Sequence, residues 1–312
     1  MPATTTPQRP FPSLILLCRE VESIGADAEA RENYKRLLNA AYDGNLAQVK
    51  TSLRSDNVNK LATLDDDITA RRDKLLNRAP LHVAIQGFET ENNGERLEII
   101  NRLFLNGALV NLPTRVRKWA PIHYAALVQS RQILRLLIEK EADVNAKTEN
   151  METALMIAFS SLPRRVRPVD SVIDDLVHHG ADINAQNSER QTCLIIATIN
   201  YPKDRVEYLL QLDGIDLTLG DNRNITALLN AIAYRRIDIA KILVDNGADV
   251  SAGGNFGHLP SDWARSVASN QRAPEDPPDR WNIFADRLSA INERRVPLQE
   301  ARQRLVFSEG DE

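Results

Sequence analysis

The chain has 312 residues and a formal net charge of −4. Because an acidic balance gives no general attraction to nucleic acid or to an anionic membrane, a partner must be recognised by a local surface. The two cysteines, Cys18 and Cys193, have no paired spacing, which is typical of a reducing compartment. We therefore expect a cytoplasmic or nuclear protein.

The N-terminal residues 1–12 contain four prolines among threonines, a composition that predicts a disordered segment. Residues 13–18 are apolar but far too short to span a bilayer, and charged residues follow them at once. We expect a helix over residues 13–24 that covers the first structural unit. The alternative is an anchor or a secretory signal, but a signal requires a positive start and a longer apolar run.

Residues 34–59 predict two short helices, with a turn at Gly44 and Asn45 between them. The next segment contains three adjacent acids, residues 65–67, which raise the possibility of a metal site. No His or Cys lies beside them, so a solvated loop or a helix start is the favoured interpretation.

Beyond residue 78 a short opening and a five-residue ending recur along the chain. The openings have the pattern of Ala79-Pro80-Leu81-His82 and Thr226-Ala227-Leu228, and the endings that of Gly247-Ala248-Asp249-Val250-Ser251. The last residues of the endings are 111, 145, 184, 218 and 251, so the steps between them are 34, 39, 34 and 33 residues. Within one period, Thr226 can cap a first helix, residues 238–245 predict a second, and Gly247 can end it in a left-handed conformation.

These openings and endings resemble the ankyrin repeat, which has a period of about 33 residues and a Thr-Pro-Leu-His-x-Ala opening. The resemblance covers roughly residues 34–268. It implies an all-α solenoid of six or seven helix–turn–helix units with β-hairpin fingers, capped at both ends. The predicted domains are a disordered segment over 1–12, an ankyrin-repeat domain with its N-terminal capping helix over 13–268, and a C-terminal linker, capping helix and acidic tail over 269–312.

Two repeats are longer than the others between their helices. The excess lies around residues 88–95 and 160–168, and either insert can be a binding feature or a tolerated surface loop. Near the C-terminus, Trp281, Ile283, Phe284, Leu288 and Ile291 have helical spacing and predict a helix that folds back on the last repeat.

The sequence contains no motif for phosphate binding, for a catalytic serine or for zinc, so we expect no cofactor and no metal. His82 and His123 belong to the openings, where the resemblance implies that each histidine joins neighbouring turns. Partner binding is therefore the leading functional hypothesis. The resemblance places the contact surface on the finger tips and on the outward positions of the first helices.

The aligned positions include apolar, aromatic and basic side chains, a composition typical of an interface core. The predicted partner-binding residues are Arg115, Arg117, Lys118, Trp119, Leu127, Met151, Ile199, Ile225, Tyr234 and Phe256, and further aligned finger positions are Glu149, Glu152, Arg190, Gln191, Arg223 and His258. For Trp119 and Tyr234 the alternative is packing against adjacent fingers.

The sequence thus predicts a protein–protein interaction module. The alternative is an enzyme or small-molecule binder that uses an apolar groove between the fingers and the first helices, and a closed pocket with convergent polar groups would favour it. Nucleic-acid binding is disfavoured by the overall acidity.

Overall fold

The computed structural model of the chain describes residues 28–54, 56–60, 78–87, 93–161, 172–269 and 278–308. These residues form fourteen α-helices, and their one isolated β-bridge joins Gly220 to Thr226. The all-α architecture is confirmed, whereas the fingers of the described residues are held by turns rather than by paired strands. No described helix combines the length and the apolar character that a membrane crossing requires. The chain divides into two compact units, Met1–Val116 and Arg117–Glu312.

The first unit contains two pairs of helices. Helix α1 packs on α2 and α3, and α4 packs on α2 and α3. The large apolar side chains between these helices, including Leu37, Leu38 and Ile99, are fully buried. The helices are α1 (Ala28–Asp43), α2 (Leu46–Ser52), α3 (Pro80–Gln86) and α4 (Asn93–Leu105).

In each pair, the helix that comes first in the chain is called the first helix of the repeat and the other the second helix. The second unit continues this alternation. The first helices α5, α7, α9, α11 and α13 pack on one another in chain order, and the second helices pair as α6 with α8 and α10 with α12. The helices are α5 (Pro121–Leu127), α6 (Arg131–Glu139), α7 (Ala154–Ser161), α8 (Val172–His178), α9 (Cys193–Asn200), α10 (Lys203–Leu210), α11 (Ala227–Ala233), α12 (Ile237–Asp245), α13 (Pro260–Ser269) and α14 (Pro278–Ser308), with a 3₁₀ turn at Gly254–Phe256.

The first helices begin where the recurring openings predict. The hydroxyl of Thr226 accepts the N–H of Leu229 at 3.4 Å, and Pro121 occupies a first-turn position of α5, where a missing N–H has no cost. Leu228 and Ile232 are buried on the packed face of α11. The predicted cap and apolar face of this repeat are confirmed.

The second helices end in a left-handed residue. Gly247 has φ +88°, as predicted, and Glu141 takes the corresponding conformation in an earlier repeat with φ +64°. A residue with a Cβ is strained in this conformation by about 1–2 kcal/mol. The structure thus preserves the turn even where the sequence lacks the glycine.

The asparagines that close the repeat endings bind the next repeat through its backbone. The amide of Asn184 donates to the Gly214 carbonyl at 2.8 Å, and its Oδ1 accepts the N–H of Asp216 at 2.9 Å. Asn145 makes the same pair of bonds to Gly180 (2.9 Å) and Asp182 (2.8 Å). Each asparagine therefore fixes the position of the following turn.

Three arginines lie near the start of the second helix of a repeat. Each donates hydrogen bonds to carbonyl groups at the end of the first helix of the preceding repeat. These carbonyls have no partner within their own helix and lie at the negative end of its dipole. The contacts are Arg96 to Ala41 (3.3 Å) and to Tyr42 (2.6 Å), Arg205 to Phe159 (3.1 Å), and Arg236 to Thr198 (3.0 Å).

The C-terminal helix α14 packs on α13, which confirms that the chain folds back on its last repeat. Trp281, Phe284 and Leu288 are buried in this contact. The prediction that Ile283 shares the buried face is wrong, because its side chain is 70% exposed. Ile283 follows Trp281 by two positions, which places it about 200° around the helix from the packed face.

Several predicted features lie outside the described residues. They are the disordered segment 1–12, the helix over 13–24 with Cys18, the acidic run 65–67, residues 88–92 and 162–168 of the two inserts, and the last four residues of the acidic tail. Part of the first insert is described, however. Helix α4 begins at Asn93 and has 13 residues, compared with nine in α6, so the described part of this insert lengthens the second helix.

Candidate partner-binding surface

The fingers of the second unit are the loops that precede its first helices, residues 117–120, 146–153, 185–192, 219–226 and 252–259. One backbone hydrogen bond joins each finger to the next at equivalent positions. The donors and acceptors are Glu149 N–H to Arg117 (2.9 Å), Ser188 to Asn150 (2.8 Å), Asn222 to Glu189 (3.0 Å) and Asn255 to Arg223 (3.0 Å). The finger tips are therefore held in register with one another.

Polar side chains at the start of individual fingers close the turns from within. The carboxylate of Asp221 accepts the N–H groups of Arg223 at 2.8 Å and Ile225 at 2.9 Å. Asn187 forms the equivalent pair of bonds in the preceding finger, to Glu189 and Gln191. In the Met151 finger the Glu152 N–H donates to the Thr148 hydroxyl at 3.1 Å. These bonds are local, so the three tips are held before any partner arrives.

The tip residues share a left-handed backbone conformation. Lys118, Met151, Arg190 and Asn224 have φ values of 52°, 60°, 58° and 55°, and Gly257 takes the same place in the last finger with 68°. Only glycine and, to a lesser degree, asparagine adopt this conformation readily. The chain thus retains a lysine, a methionine and an arginine at positions where backbone strain disfavours them, and their side chains are exposed.

The ends of the first helices add apolar surface beside the fingers. Tyr234, the residue that follows α11, is 56% exposed, and Leu127 at the end of α5 is 37% exposed. Ile199 takes the corresponding position in α9 and is half-buried. Together with Met151, which is 42% exposed, these side chains give the second unit several accessible apolar contacts.

An open depression of about 570 Å³ lies between α11 and α13. The residues that line it include Ala233, His258, Trp263 and Ser266. Its acid, Asp262, accepts the N–H of Leu259 at 3.1 Å and forms an ion pair with Arg265 at 3.7 Å. The carboxylate of Asp262 therefore caps the start of α13 and forms an ion pair within that helix.

Trp119 is half-buried against the first helix of its own repeat. Its ring lies 5.3 Å from the ring of Tyr124, in an edge-to-face arrangement, and 6.1 Å from that of His123. This contact differs from the alternative that we considered, packing on an adjacent finger. Its indole therefore has a structural contact, whatever it contributes to binding.

The other predicted partner-binding residues differ in how exposed their side chains are. Arg117 and Lys118 are exposed in the second unit, and Arg115 is exposed in the first. The expectation that Ile225 is accessible is wrong, because it is only 7% exposed and packs near Gly254 of the next finger. The backbone of Phe256 lies in the 3₁₀ turn, and its side chain is outside the described residues.

An accessible residue that the sequence alignment did not select is Val116, which is 57% exposed. It immediately precedes the basic pair Arg117 and Lys118 in the sequence. Alignment by openings selects only positions that recur in several repeats, so it does not select Val116.

Burial changes the ionisation of two side chains near the fingers. Desolvation lowers the pKa of His123, whose Nδ1 accepts the N–H of Ala120 at 2.8 Å and whose Nε2 lies 3.0 Å from the Ala146 carbonyl. This geometry requires the neutral tautomer with hydrogen on Nε2, and it joins one finger to the next. Desolvation also raises the pKa of Glu152, which is half-buried.

Cys193 is buried, and desolvation raises the pKa of its thiol to about 12. The thiol is therefore protonated near neutral pH and serves as a small packing residue. Among the described residues, no group of three or more His, Cys, Asp or Glu side chains is arranged to hold a metal ion.

Comparison with known families agrees with this architecture. The family model described as ankyrin repeats (3 copies) matches residues 81–169 and 167–253. No curated protein shows significant similarity to the chain. The family match covers more than half of the 312 residues and is in phase with the helix pairs from α3 to α12. The chain therefore belongs to the ankyrin-repeat family.

Proposed function

We propose that the chain is a protein-interaction module that holds a segment of another protein on the finger tips and first-helix ends of its second unit. Ankyrin repeats generally mediate protein–protein interactions. The observation that carries the proposal is the exposed Met151, held at a rigid finger tip in a strained conformation. Strain at an exposed position is understandable where a side chain has a role other than folding.

The arrangement of this surface suits a partner protein. Accessible apolar side chains surrounded by charged ones resemble an interface core with a polar rim, in which a few large side chains carry most of the binding energy. Met151, Leu127 and Tyr234 supply the apolar part, and Lys118 and Arg190 the charged part. Because hydrogen bonds already fix the fingers, little conformational entropy is lost when a partner binds.

The alternative function, an enzyme or a small-molecule binder, has weaker support. Catalytic and ligand sites are usually enclosed and have polar groups that converge on the ligand. The depression beside α13 is open, and Asp262 already binds the backbone of Leu259 and the side chain of Arg265.

The proposal can be tested by affinity capture with the full chain immobilised and cell extract as the source of partners. Met151→Asp should reduce recovery of the specifically retained proteins about tenfold, equivalent to about 1.4 kcal/mol. The matched control is Ile283→Asp, which places the same charge on an exposed apolar position of α14. Equal recovery with both variants, at unchanged melting temperatures, would contradict the proposed surface.

A further inference from the structure

The arginines of the second unit fall into two groups. Most of the described ones contact carboxylates or helix carbonyls within the fold. By contrast, Arg117, Arg190 and Arg223 of the fingers, like Arg294 of α14, are exposed and have no hydrogen bond or ion pair from their side chains to any described residue. The engaged arginines are Arg131, Arg135, Arg205, Arg235, Arg236, Arg265, Arg280 and Arg287.

The three finger arginines lie at or directly before the tip residue of their fingers. Arg190 is a left-handed tip residue, and Arg117 and Arg223 each directly precede one. The backbone carbonyls of Arg117 and Arg223 also accept the bonds that join their fingers to the next. The inter-finger hydrogen bonds therefore hold the backbone of these residues and of Lys118 in one row along the fingers.

Charge in the second unit is distributed unevenly between the two kinds of loop. The finger residues 117–120, 146–153, 185–192, 219–226 and 252–259 contain five Lys or Arg and four Asp or Glu. The turns after the second helices, residues 139–145, 178–184, 211–218 and 245–251, contain one lysine and eight acids. Of these two kinds of loop, the fingers thus contain most of the positive charge, which exceeds their negative charge by one.

The row also contains an apolar position. Met151 is the tip residue of the finger that lies in sequence between those of Lys118 and Arg190, and its side chain is 42% exposed. A ligand that follows the row therefore meets cations on both sides of an apolar contact.

We propose that the finger tips bind an acidic, extended segment of the partner protein, with carboxylates on Arg117, Arg190 and Arg223 and an apolar side chain on Met151. This inference rests on the proposed function and specifies the chemistry of the partner. A guanidinium presents paired N–H groups that match a carboxylate, and such charge-assisted hydrogen bonds are stronger than neutral ones. Arginines without a partner among the described residues have these donors available.

A protein segment fits the row better than a nucleic acid does. Single-stranded nucleic acids are usually held by aromatic side chains on which the bases stack, as well as by cations. The aromatic residue next to Lys118 is Trp119, which is half-buried against Tyr124. The net charge of −4 also opposes general binding to a polyanion.

The test is selection of random 12-residue peptides, displayed on phage, against the full-length protein. We expect the selected peptides to be rich in Asp and Glu and to contain a large apolar residue. A synthetic peptide of the selected sequence should bind Arg190→Glu at least about fivefold more weakly than wild type, and its affinity should fall as salt rises. Arg294→Glu, an equal charge change at an exposed arginine of α14, should leave the affinity unchanged.

The proposal is overturned if no peptide is selected, if the selected peptides lack an excess of acids, or if Arg190→Glu and Arg294→Glu have the same effect. Tighter binding of a 12-nucleotide RNA pool than of the acidic peptide would assign the row to nucleic acid instead. The capture experiment with Met151→Asp separates this outcome from failure of the proposed function. If capture depends on Met151 but acidic peptides are not preferred, only the proposed acidic chemistry of the partner is contradicted. If capture does not depend on Met151 and acidic peptides are not preferred, the proposed interaction surface itself is contradicted.

Discussion

Individual side chains hold neighbouring repeats together mainly by hydrogen bonds to backbone atoms. Asn184 binds the following turn through two atoms, His123 connects two fingers, and Arg236 covers the end of a helix in the preceding repeat. A lost partner in such a contact leaves a backbone group unsatisfied, which costs more than the net energy of the bond itself. These positions should therefore tolerate substitution poorly even where they are exposed.

Asn184→Ala should lower the free energy of unfolding by about 1–3 kcal/mol, because it removes the bonds to Gly214 and Asp216. Chemical denaturation of the full chain measures the effect. Asn200→Ala makes the same change at an exposed position of α9, where the side chain has no hydrogen bond to a described residue. Indistinguishable midpoints for the two variants would show that the asparagine bonds do not stabilise the stack.

His123 should make stability depend on pH. Burial lowers its pKa in the folded state, so the unfolded chain binds more protons at this site as pH falls below about 6.5. The stabilisation is therefore present above that pH and is lost on acidification, by at most about 1.4 kcal/mol per pH unit. Denaturation between pH 7.5 and 5 should show a smaller decline for His123→Gln than for wild type. An equal decline would mean that His123 is not the group responsible.

At the scale of helices, the recurring sequence positions predict the helix limits well. The features that they do not predict depend on contacts between repeats. The opening at Thr226 and the residue Gly247 define one repeat, and the observed helices begin and end within a residue or two of the predicted limits. The burial of Ile225 was not predictable in this way. It depends on the finger of the following repeat, which reaches it through Gly254.

The candidate surface was predictable to a smaller degree. Alignment of the openings correctly selects Met151 and Tyr234 as exposed, because equivalent positions have equivalent surroundings. It gives no information on which arginines are engaged. Arg236 and Arg190 have the same chemistry in the sequence, but the side chain of Arg236 reaches a helix end in a neighbouring repeat, whereas that of Arg190 has no hydrogen bond to any described residue. That distinction requires the distances between repeats.

Asp175 joins the second helices α6 and α8 of successive repeats. Its carboxylate, which is almost completely buried, accepts two bonds from Arg131 and two from Arg135, at 2.9–3.0 Å. The hydrogen bonds from Arg131 and then from Arg135 are the main causes that hold the pKa of Asp175 well below its usual range. The charged form of this carboxylate therefore stabilises the contact between α6 and α8.

Asp175→Asn should lower the free energy of unfolding by about 1–3 kcal/mol at neutral pH, since it weakens charge-assisted bonds and leaves buried polar atoms poorly paired. Asp238→Asn removes an exposed ion pair with Arg280 at 3.6 Å, and its effect should stay below about 1 kcal/mol. Because the folded pKa of Asp175 is depressed, the wild-type advantage should be lost as pH falls below about 4. Equal destabilisation by the two variants at pH 7 would contradict the assigned role of Asp175.

The packing of α14 is testable in the same way. Trp281→Ala should destabilise the second unit by about 3–5 kcal/mol, because it leaves a cavity where a fully buried side chain contacts Phe284. Ile283→Ala, on the exposed face of the same helix, should change the melting temperature by little. A small effect of Trp281→Ala would mean that α14 does not contribute to the stability of the last repeats.

At the scale of the whole molecule, folding and binding make different demands on one set of loops. In repeat proteins, stability is approximately the sum of repeat and nearest-neighbour terms, so each finger needs only its contacts with the next. Backbone bonds and the side chains of Asp221 and Asn187 provide those contacts. The tip side chains Lys118, Met151 and Arg190 are therefore available for the proposed interaction with a partner.

The most direct test of the proposed function is site-specific photo-crosslinking. A photoreactive amino acid replaces Met151 in the full-length chain, or Ile283 in the control, and crosslinked proteins from cell extract are identified by mass spectrometry. We expect a defined partner to crosslink from position 151 and not from position 283, and an excess of unlabelled wild-type chain to suppress the product. Equal crosslinking from both positions, or a partner captured only from position 283, would contradict the assignment of the finger tips as the binding surface.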